Sequence, residues 1–232
     1  MGDPLVEVIE EVRRDLGFKK SEDRLAAILM CELLAGRGLR LRDVPVAREV
    51  VVVGAGPSVR RLPEVRGELE GRVVYAADGA CEALLRVGIV PDVVVTDLDG
   101  RIEFLLMAVE EGAVPVVHAH GDNMERLARW VPVLADAGVL GTCQVDPPCR
   151  ELVNPGGFTD GDRAVVLAAR RGARRVLTVG MDFGDLTTEF SRPGEGRGVF
   201  RADRIKRRKL RWGERIVGMV REHLGVEVVP LV

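Results

Sequence analysis

Four valine-rich runs of this 232-residue chain end in a carboxylate. Asp78 follows Val73–Ala77, Asp97 follows Val93–Val95, Asp122 follows Val114–Val117 and Asp182 follows Arg175–Val179. Aspartate is a common helix cap, and that explanation suffices for Asp122 taken alone. For four run ends together it is strained. The sharpest piece is Thr96-Asp97-Leu98-Asp99-Gly100. On a strand that continues through it, Asp97 and Asp99 point the same way. Two carboxylates ~4 Å apart repel by about 4 kcal/mol at an effective dielectric near 20, and a cation would offset that. Mg²⁺ takes hard oxygen ligands and usually binds one or two carboxylates together with substrate phosphates. The competing reading is an Asp-rich turn with Asp99-Gly100 as the turn pair. The metal reading is the stronger.

Other segments could serve a phosphate substrate. Gly54, Gly56, Pro57 and Ser58 follow the first valine run and precede a helical pattern. Glycines there let backbone approach a phosphate, and the helix N-terminus favours an anion. The dinucleotide fingerprint wants a third glycine where Val59 stands, and no G-x-x-x-x-G-K-[ST] loop occurs. With Asp78 ending the next run, a Rossmann-type enzyme using NAD(P) or S-adenosylmethionine stays open, as does a nucleotide-sensing module. Thr159 and Asp160 make good caps for the helix over Asp162–Arg171, or Asp160 joins the metal cluster and Arg163 neutralises phosphate. His118 and His120 lack a third ligand at zinc spacing, so contact between His120 and substrate or phosphate is the better reading. In the basic stretch Arg201–Arg211, Lys206 and Lys209 share a helix face and could clamp a triphosphate.

These residues need a scaffold that brings them together. Short apolar runs (Val50–Val53, Val73–Ala77, Val93–Val95, Val114–Val117, Val139–Gly141, Arg175–Val179) alternate with helical patterns near Val59–Leu69, Cys81–Val87, Ile102–Glu111, Met124–Ala135 and Asp162–Arg171. That order predicts an α/β fold with a mostly parallel, doubly wound sheet, whose ligands bind at the strands' carboxyl ends. Asp3-Pro4 and then Ser21 open two amphipathic helices, ending at Gly17 and near Gly36. They predict a small helical N-terminal segment over residues 1–45, docked on a catalytic domain over 46–232. The stretch Asp185 to Gly198, with three spaced glycines and no periodicity, reads as a mobile loop.

Composition excludes several classes. A net charge of −2 argues against a dedicated nucleic-acid or acidic-membrane binder, and no run is long enough to span a bilayer. The four cysteines form no C-x-x-C pair, which speaks against a disulfide or zinc framework and for a reducing cytoplasm. A homo-oligomer is compatible with all of this.

The motifs together resemble a known family. They are Gly54-Ala55-Gly56-Pro57-Ser58, Ala77-Asp78-Gly79-Ala80, Gly88-Ile89-Val90-Pro91-Asp92, Thr96-Asp97-Leu98-Asp99-Gly100, His118-Ala119-His120-Gly121-Asp122-Asn123 and Gly157-Phe158-Thr159-Asp160-Gly161-Asp162. In order, from about Glu49 to Lys209, they resemble the archaeal 6-hydroxymethyl-7,8-dihydropterin pyrophosphokinases, and more distantly thiamine pyrophosphokinase. Gly100 replaces the serine usual in the thiamine enzymes, whose C-terminal β-domain also has no room here, so the pterin acceptor is favoured. The resemblance implies a thiamine-pyrophosphokinase-like catalytic domain. It implies transfer of the β,γ-diphosphate of ATP to the pterin hydroxymethyl oxygen with release of AMP, in methanopterin or folate biosynthesis. On that basis Asp97, Asp99 and Asp160 are expected to hold Mg²⁺, with Asp78 beside them. Lys206, Lys209 and Arg163 would offset phosphate charge. Gly54–Ser58, Gly79 and Thr159 would line the nucleotide, and Asp122 or His120 would be the general base.

Overall fold

A computed structural model describes residues 2–192, 194 and 196–232. Its centre is an eight-stranded parallel sheet with the order β10-β7-β1-β2-β3-β4-β5-β6. The strands are β1 (Glu49–Val53), β2 (Val73–Ala77), β3 (Val93–Thr96), β4 (Val114–Ala119), β5 (Leu140–Cys143), β6 (Leu152–Val153), β7 (Arg175–Val179) and β10 (Glu227–Pro230). The doubly wound parallel sheet expected from the sequence is present. β6 and β10 are additions; two residues, or four with a terminal proline, leave little apolar pattern to read.

Alternation within the strands decides which face each residue supports. Val51, Val53, Val74 and Ala76 pack against α2 (Lys20–Leu34), α3 (Leu62–Leu69), α4 (Ala80–Arg86), α5 (Ile102–Glu110) and α6 (Met124–Leu134). Val50, Val52, Tyr75, Val93 and Val95 pack against α1 (Pro4–Leu16), α7 (Asp160–Arg171) and α8 (Arg204–Leu224). Both faces are therefore covered, and each wholly buried Val or Leu contributes about 1.5–3 kcal/mol. The sheet order reverses at β1: the chain runs outward through β2 to β6, then returns to place β7 on the other side of β1. A crevice opens there at the carboxyl ends. No helix among the described residues is long and apolar enough to cross a membrane.

Two expectations are corrected. The stretch Asp185 to Gly198 contributes to a hairpin, because β8 (Leu186–Thr188) pairs antiparallel with β9 (Val199–Arg201). Thr188 Oγ1 donates to Ala55 O at 2.7 Å and anchors the hairpin over the glycine loop; residues 193 and 195 of that stretch lie outside the described residues. The second correction is a disulfide between Cys31 on α2 and Cys149 just before β6, with Cα atoms 6.1 Å apart. A separation of 118 residues hid the pair from any local motif. Cys81 and Cys143 are free and buried.

The disulfide joins α2 to the β6 end of the sheet. Denatured without reductant, the protein should expose two reactive thiols, and four after reduction. Cys149→Ser should lower unfolding free energy by about 2–5 kcal/mol, read from denaturant titration. An unchanged midpoint would show that the link constrains nothing.

Candidate active site

Three strand and helix ends converge on one point. Asp78 after β2, Asp97 after β3 and Asp160 in the first turn of α7 each offer a carboxylate oxygen within 4.8 Å of the others. The Asp97–Asp99 pair is built otherwise than expected. β3 ends at Thr96, and Leu98 takes a left-handed φ of 66°, so a turn rather than a continuing strand brings Asp99 back toward Asp97. The Asp99 amide donates to Asp97 Oδ1 at 3.2 Å. Buried Asn123 ties this turn down, donating to Asp97 O at 2.8 Å and His118 O at 2.7 Å. Thr96 Oγ1 donates to Asp78 Oδ1 at 2.5 Å and accepts from the Leu98 amide at 2.8 Å. A Cβ on Gly100 would collide with the Asp78 carboxylate, which explains why glycine stands there.

The electrostatics are those of an anionic cluster short of positive charge. Burial, then the Asp99 and Asp97 carboxylates, push Asp78 up to about 7. Burial and Asp97 raise Asp99 likewise. Asp160 is raised well above the usual range by burial and by Asp97, although Arg163 opposes the shift. Asp97 is the exception: burial would raise it, but the hydrogen bond from His120 holds it below the ordinary range. Three oxygen donors that repel one another are the donor set of a hard divalent cation, and they fit Mg²⁺.

The surrounding residues fall into distinct places. His120 Nε2 lies 3.1 Å from Asp97 Oδ2, while its Nδ1 accepts the Asp122 amide at 3.2 Å. The ring proton therefore sits on Nε2 and faces Asp97. The Asp122 carboxylate is exposed at the rim of the cleft. Arg163 is buried behind Asp160, donating to Asp160 Oδ1 at 3.2 Å and Phe158 O at 2.9 Å, so its charge already has a partner. The Thr159 amide and hydroxyl both donate to Asp162 Oδ2, at 2.9 and 2.6 Å. Lys206 and Lys209 project from α8 into the cleft. Burial and the neighbouring Lys209 lower the Lys206 pKa, while Asp99 and Asp160 oppose the shift. Lys209 Nζ sits 5.6 Å from the Phe18 ring centroid.

The glycine loop lines the cleft, but most of its amides are occupied. Gly54 donates to Val179 O and Gly56 to Gly180 O, both at 2.8 Å. The Ser58 amide and hydroxyl donate to Asp182 Oδ2, both at 2.8 Å, and Val59 donates to Gly56 O at 3.0 Å. Pro57 has no amide proton to offer. Gly54 and Gly56 are small because a Cβ would lie 2.5 Å or 2.8 Å from Gly180 O. Gly79 is needed where the hairpin backbone passes at Phe190. The loop thus seats β1 against β7 and the hairpin, with few free donors for a pyrophosphate.

Sequence reasoning missed several lining residues. Phe18 and Lys19 come from the link between α1 and α2, Glu22 and Asp23 from the first turn of α2, and Gln144 from just after β5. Nothing local marks them. Arg126 on α6 also escaped notice; its charge favours the ionised forms of Asp97 and Asp99.

Comparison with known proteins gives this geometry a family. Residues 37–188 match the model of the 6-hydroxymethylpterin diphosphokinase MptE-like family. The chain belongs to this family. The MptE-like match spans Asp78, Asp97, Asp99 and Asp160 but stops before Lys206 and Lys209. Curated relatives reach further. A 6-hydroxymethyl-7,8-dihydropterin pyrophosphokinase of Methanothermobacter thermautotrophicus is 43% identical over 92% of this chain and 92% of its own length. One of Methanocaldococcus jannaschii is 36% identical over 94% of both. One of Pyrococcus furiosus is 43% identical over 79% of both. Among solved structures, the MAf glycosyltransferase of Magnetospirillum magneticum AMB-1 is similar with a TM-score of 0.56 at 19% identity, covering 99% of this chain and 42% of that one. At that identity the likeness concerns the fold.

The raised Asp78 pKa has a sign that can be checked. Its folded value of about 7 exceeds the ordinary 3.8, so the folded state keeps a proton that the unfolded chain releases. Stability of the metal-free protein should therefore fall as pH rises between those values. Asp78→Asn should abolish that component, melting several degrees above wild type at pH 8 and level with it near pH 4. Asparagine also tolerates the φ of 42° at this position. Parallel melting curves across pH would show that Asp78 does not carry the repulsion.

Proposed function

We propose that this protein transfers the β,γ-diphosphate of ATP to the hydroxymethyl oxygen of 6-hydroxymethyl-7,8-dihydropterin and releases AMP. The observation that carries the proposal is the Asp78–Asp97–Asp160 cluster at the carboxyl ends of the central strands, in a chain of the MptE-like family. Phosphoryl chemistry asks for in-line positioning and charge neutralisation more than for covalent groups. Asp78, Asp97 and Asp160 would hold Mg²⁺, with Asp99 beside them; the ion would supply charge neutralisation at the phosphates.

The chain's own residues do the rest. Asn123, Thr96 and His120 hold the carboxylates in place, and Arg163 sets the position of Asp160. Lys206 and Lys209 face the cleft from α8 and offset phosphate charge. The nucleoside takes the crevice between β1 and β7, beside Gly54 and under the β8–β9 hairpin. The acceptor hydroxyl must lose a proton as its oxygen bonds to the β-phosphorus and AMP leaves. Of the two residues that the sequence offers as base, His120 already carries its proton toward Asp97, whereas the Asp122 carboxylate has no hydrogen-bond partner among the described residues. Asp122 is therefore the base we favour. With ATP as co-substrate, the cytoplasm is the compartment we propose for the reaction.

Incubation with ATP, Mg²⁺ and either 6-hydroxymethyl-7,8-dihydropterin or thiamine tests the proposal directly. AMP should appear only with the pterin; ADP as product, or nucleotide consumption that ignores the pterin, would sink it. Asp97→Asn should lower kcat at least about 100-fold while the far-ultraviolet spectrum stays native.

A further inference from the structure

Behind the carboxylate cluster, one buried acid has no part in this reaction scheme. Glu82 lies in the first turn of α4, four residues after Asp78, and is 3% exposed. Asp78, Asp97 and Asp160 already repel one another, so a further buried carboxylate in this neighbourhood needs positive charge of its own. Two arginines supply it. Arg86 Nε and Nη2 donate to Glu82 Oε1 at 2.9 and 2.5 Å from within α4. Arg101 Nη1 donates to the same oxygen at 2.9 Å from a different segment. Arg86 alone gives Glu82 a countercharge. Arg101 adds a tie between two parts of the chain.

Arg101 closes the loop that carries Asp97 and Asp99. That loop runs from the end of β3 at Thr96 to the start of α5 at Ile102. Its first half is fastened by Thr96, Asn123 and the burial of Leu98. Its second half carries Asp99, which the Asp97 and Asp78 charges repel, and Gly100, packed against the Asp78 carboxylate. A small cavity lined by Asp78, Gly79, Glu82, Gly100 and Arg101 lies beside this half. The loop therefore has both a force to move it and room to move. Arg101 opposes that motion by fastening the loop's end to α4. Because α4 begins just after Asp78-Gly79, the same contact sets the spacing between Asp78 and the loop.

We infer that Glu82 is a positioning residue for the Mg²⁺ site, acting through Arg101 to hold the Asp97–Asp99 loop against Asp78. The inference rests on the metal reading of the carboxylates and adds to it the contact that presets their spacing. The test is Mn²⁺ binding to the metal-free protein, read from the electron paramagnetic resonance of the free ion, with Mg²⁺ as competitor. Arg101→Gln and Arg86→Gln remove the same charge from the same carboxylate, but only Arg101 belongs to the loop. Arg101→Gln should raise the Mn²⁺ Kd about tenfold, and Arg86→Gln should leave it within about twofold. The sign separates this from simple electrostatics, because losing a positive charge beside a cation site should by itself tighten binding. Arg101→Lys, which keeps one charged donor for Glu82, should restore most of the affinity. Glu82 retains Arg86 in the Arg101 variants, so no buried charge is left alone. Should Arg101→Gln still not fold, Glu82→Asp decides, because it keeps every charge and shortens the tie by one methylene; unchanged Mn²⁺ affinity there overturns the inference. Unchanged or tighter binding by Arg101→Gln, or an equal loss in Arg86→Gln, overturns it too. Wild type that binds no Mn²⁺ overturns the metal reading, and the inference with it. Failure of the diphosphokinase reaction alone looks different: Mn²⁺ would bind and respond to Arg101→Gln, but no AMP would appear with the pterin.

Discussion

Repulsion among buried carboxylates is the constraint around which this molecule is arranged. Asp78, Asp97 and Asp160 each bring a carboxylate oxygen within 4.8 Å of the others, and among the described residues no lysine or arginine is paired with all three. An apo protein tolerates such a cluster only if other contacts hold it there. Each carboxylate has its own retainer: Thr96 for Asp78, His120 and Asn123 for the Asp97 turn, Arg163 for Asp160. These retainers come from β3, the segment after β4, and α7. The parallel sheet is what sets those chain ends side by side. Removing any one retainer should loosen one ligand rather than the fold, whose faces are packed independently by two apolar clusters.

The scaffold was legible in the sequence because its signals are local. Continuous valine runs, buried on both faces, and the helical patterns between them need no distant partner to be recognised. Asp78 and Asp97 were legible for the same reason, since position at the end of an apolar run already places a residue at the sheet's carboxyl edge; Asp160 was legible as a residue at the opening of the helical pattern that follows Thr159. What escaped depends on contacts far apart in the chain or on backbone signs. Leu98 gives no hint of a left-handed φ, so the Asp97–Asp99 pair was expected on a strand when a turn makes it. Cys31 and Cys149 belong to segments that meet only once α2 lies over the β5–β6 end of the sheet. Asp23 and Gln144 are 121 residues apart, and neither has a flanking motif.

The glycines show how one sequence feature supports two explanations. Gly54 and Gly56 carry the pattern of a phosphate loop, yet their amides are spent on Val179 and Gly180. Their lack of side chains serves close backbone approach at the point where strand order reverses. Asp182 completes that seam through Ser58, which in turn accepts the Gly180 amide at 2.9 Å. The seam shapes the crevice without supplying its charge. Charge comes from α8, whose first turn is capped by Asp203 accepting from the Lys206 amide at 2.7 Å. That cap fixes where the helix begins and hence that Lys206 and Lys209 face inward.

A likeness at 19% identity to a glycosyltransferase shows how little the sheet alone determines. A parallel sheet of this kind can host different chemistries, so function is argued from the site. Chemistry is separated from its fold at the places where this chain adds something to the common edge. The N-terminal helices are one such place. Arg13 and Asp23 are nearly inaccessible to solvent, and apart from the Arg13 bond to exposed Glu10 their outward hydrogen bonds end on Gln144 and Gly121 at the cleft wall. A segment that only shielded apolar sheet would have no need of a buried ion pair, which is expensive to desolvate and adds little net stability. The pair makes sense as a device that fixes Gln144 and Gly121 in the cleft wall, next to the His120 that holds Asp97.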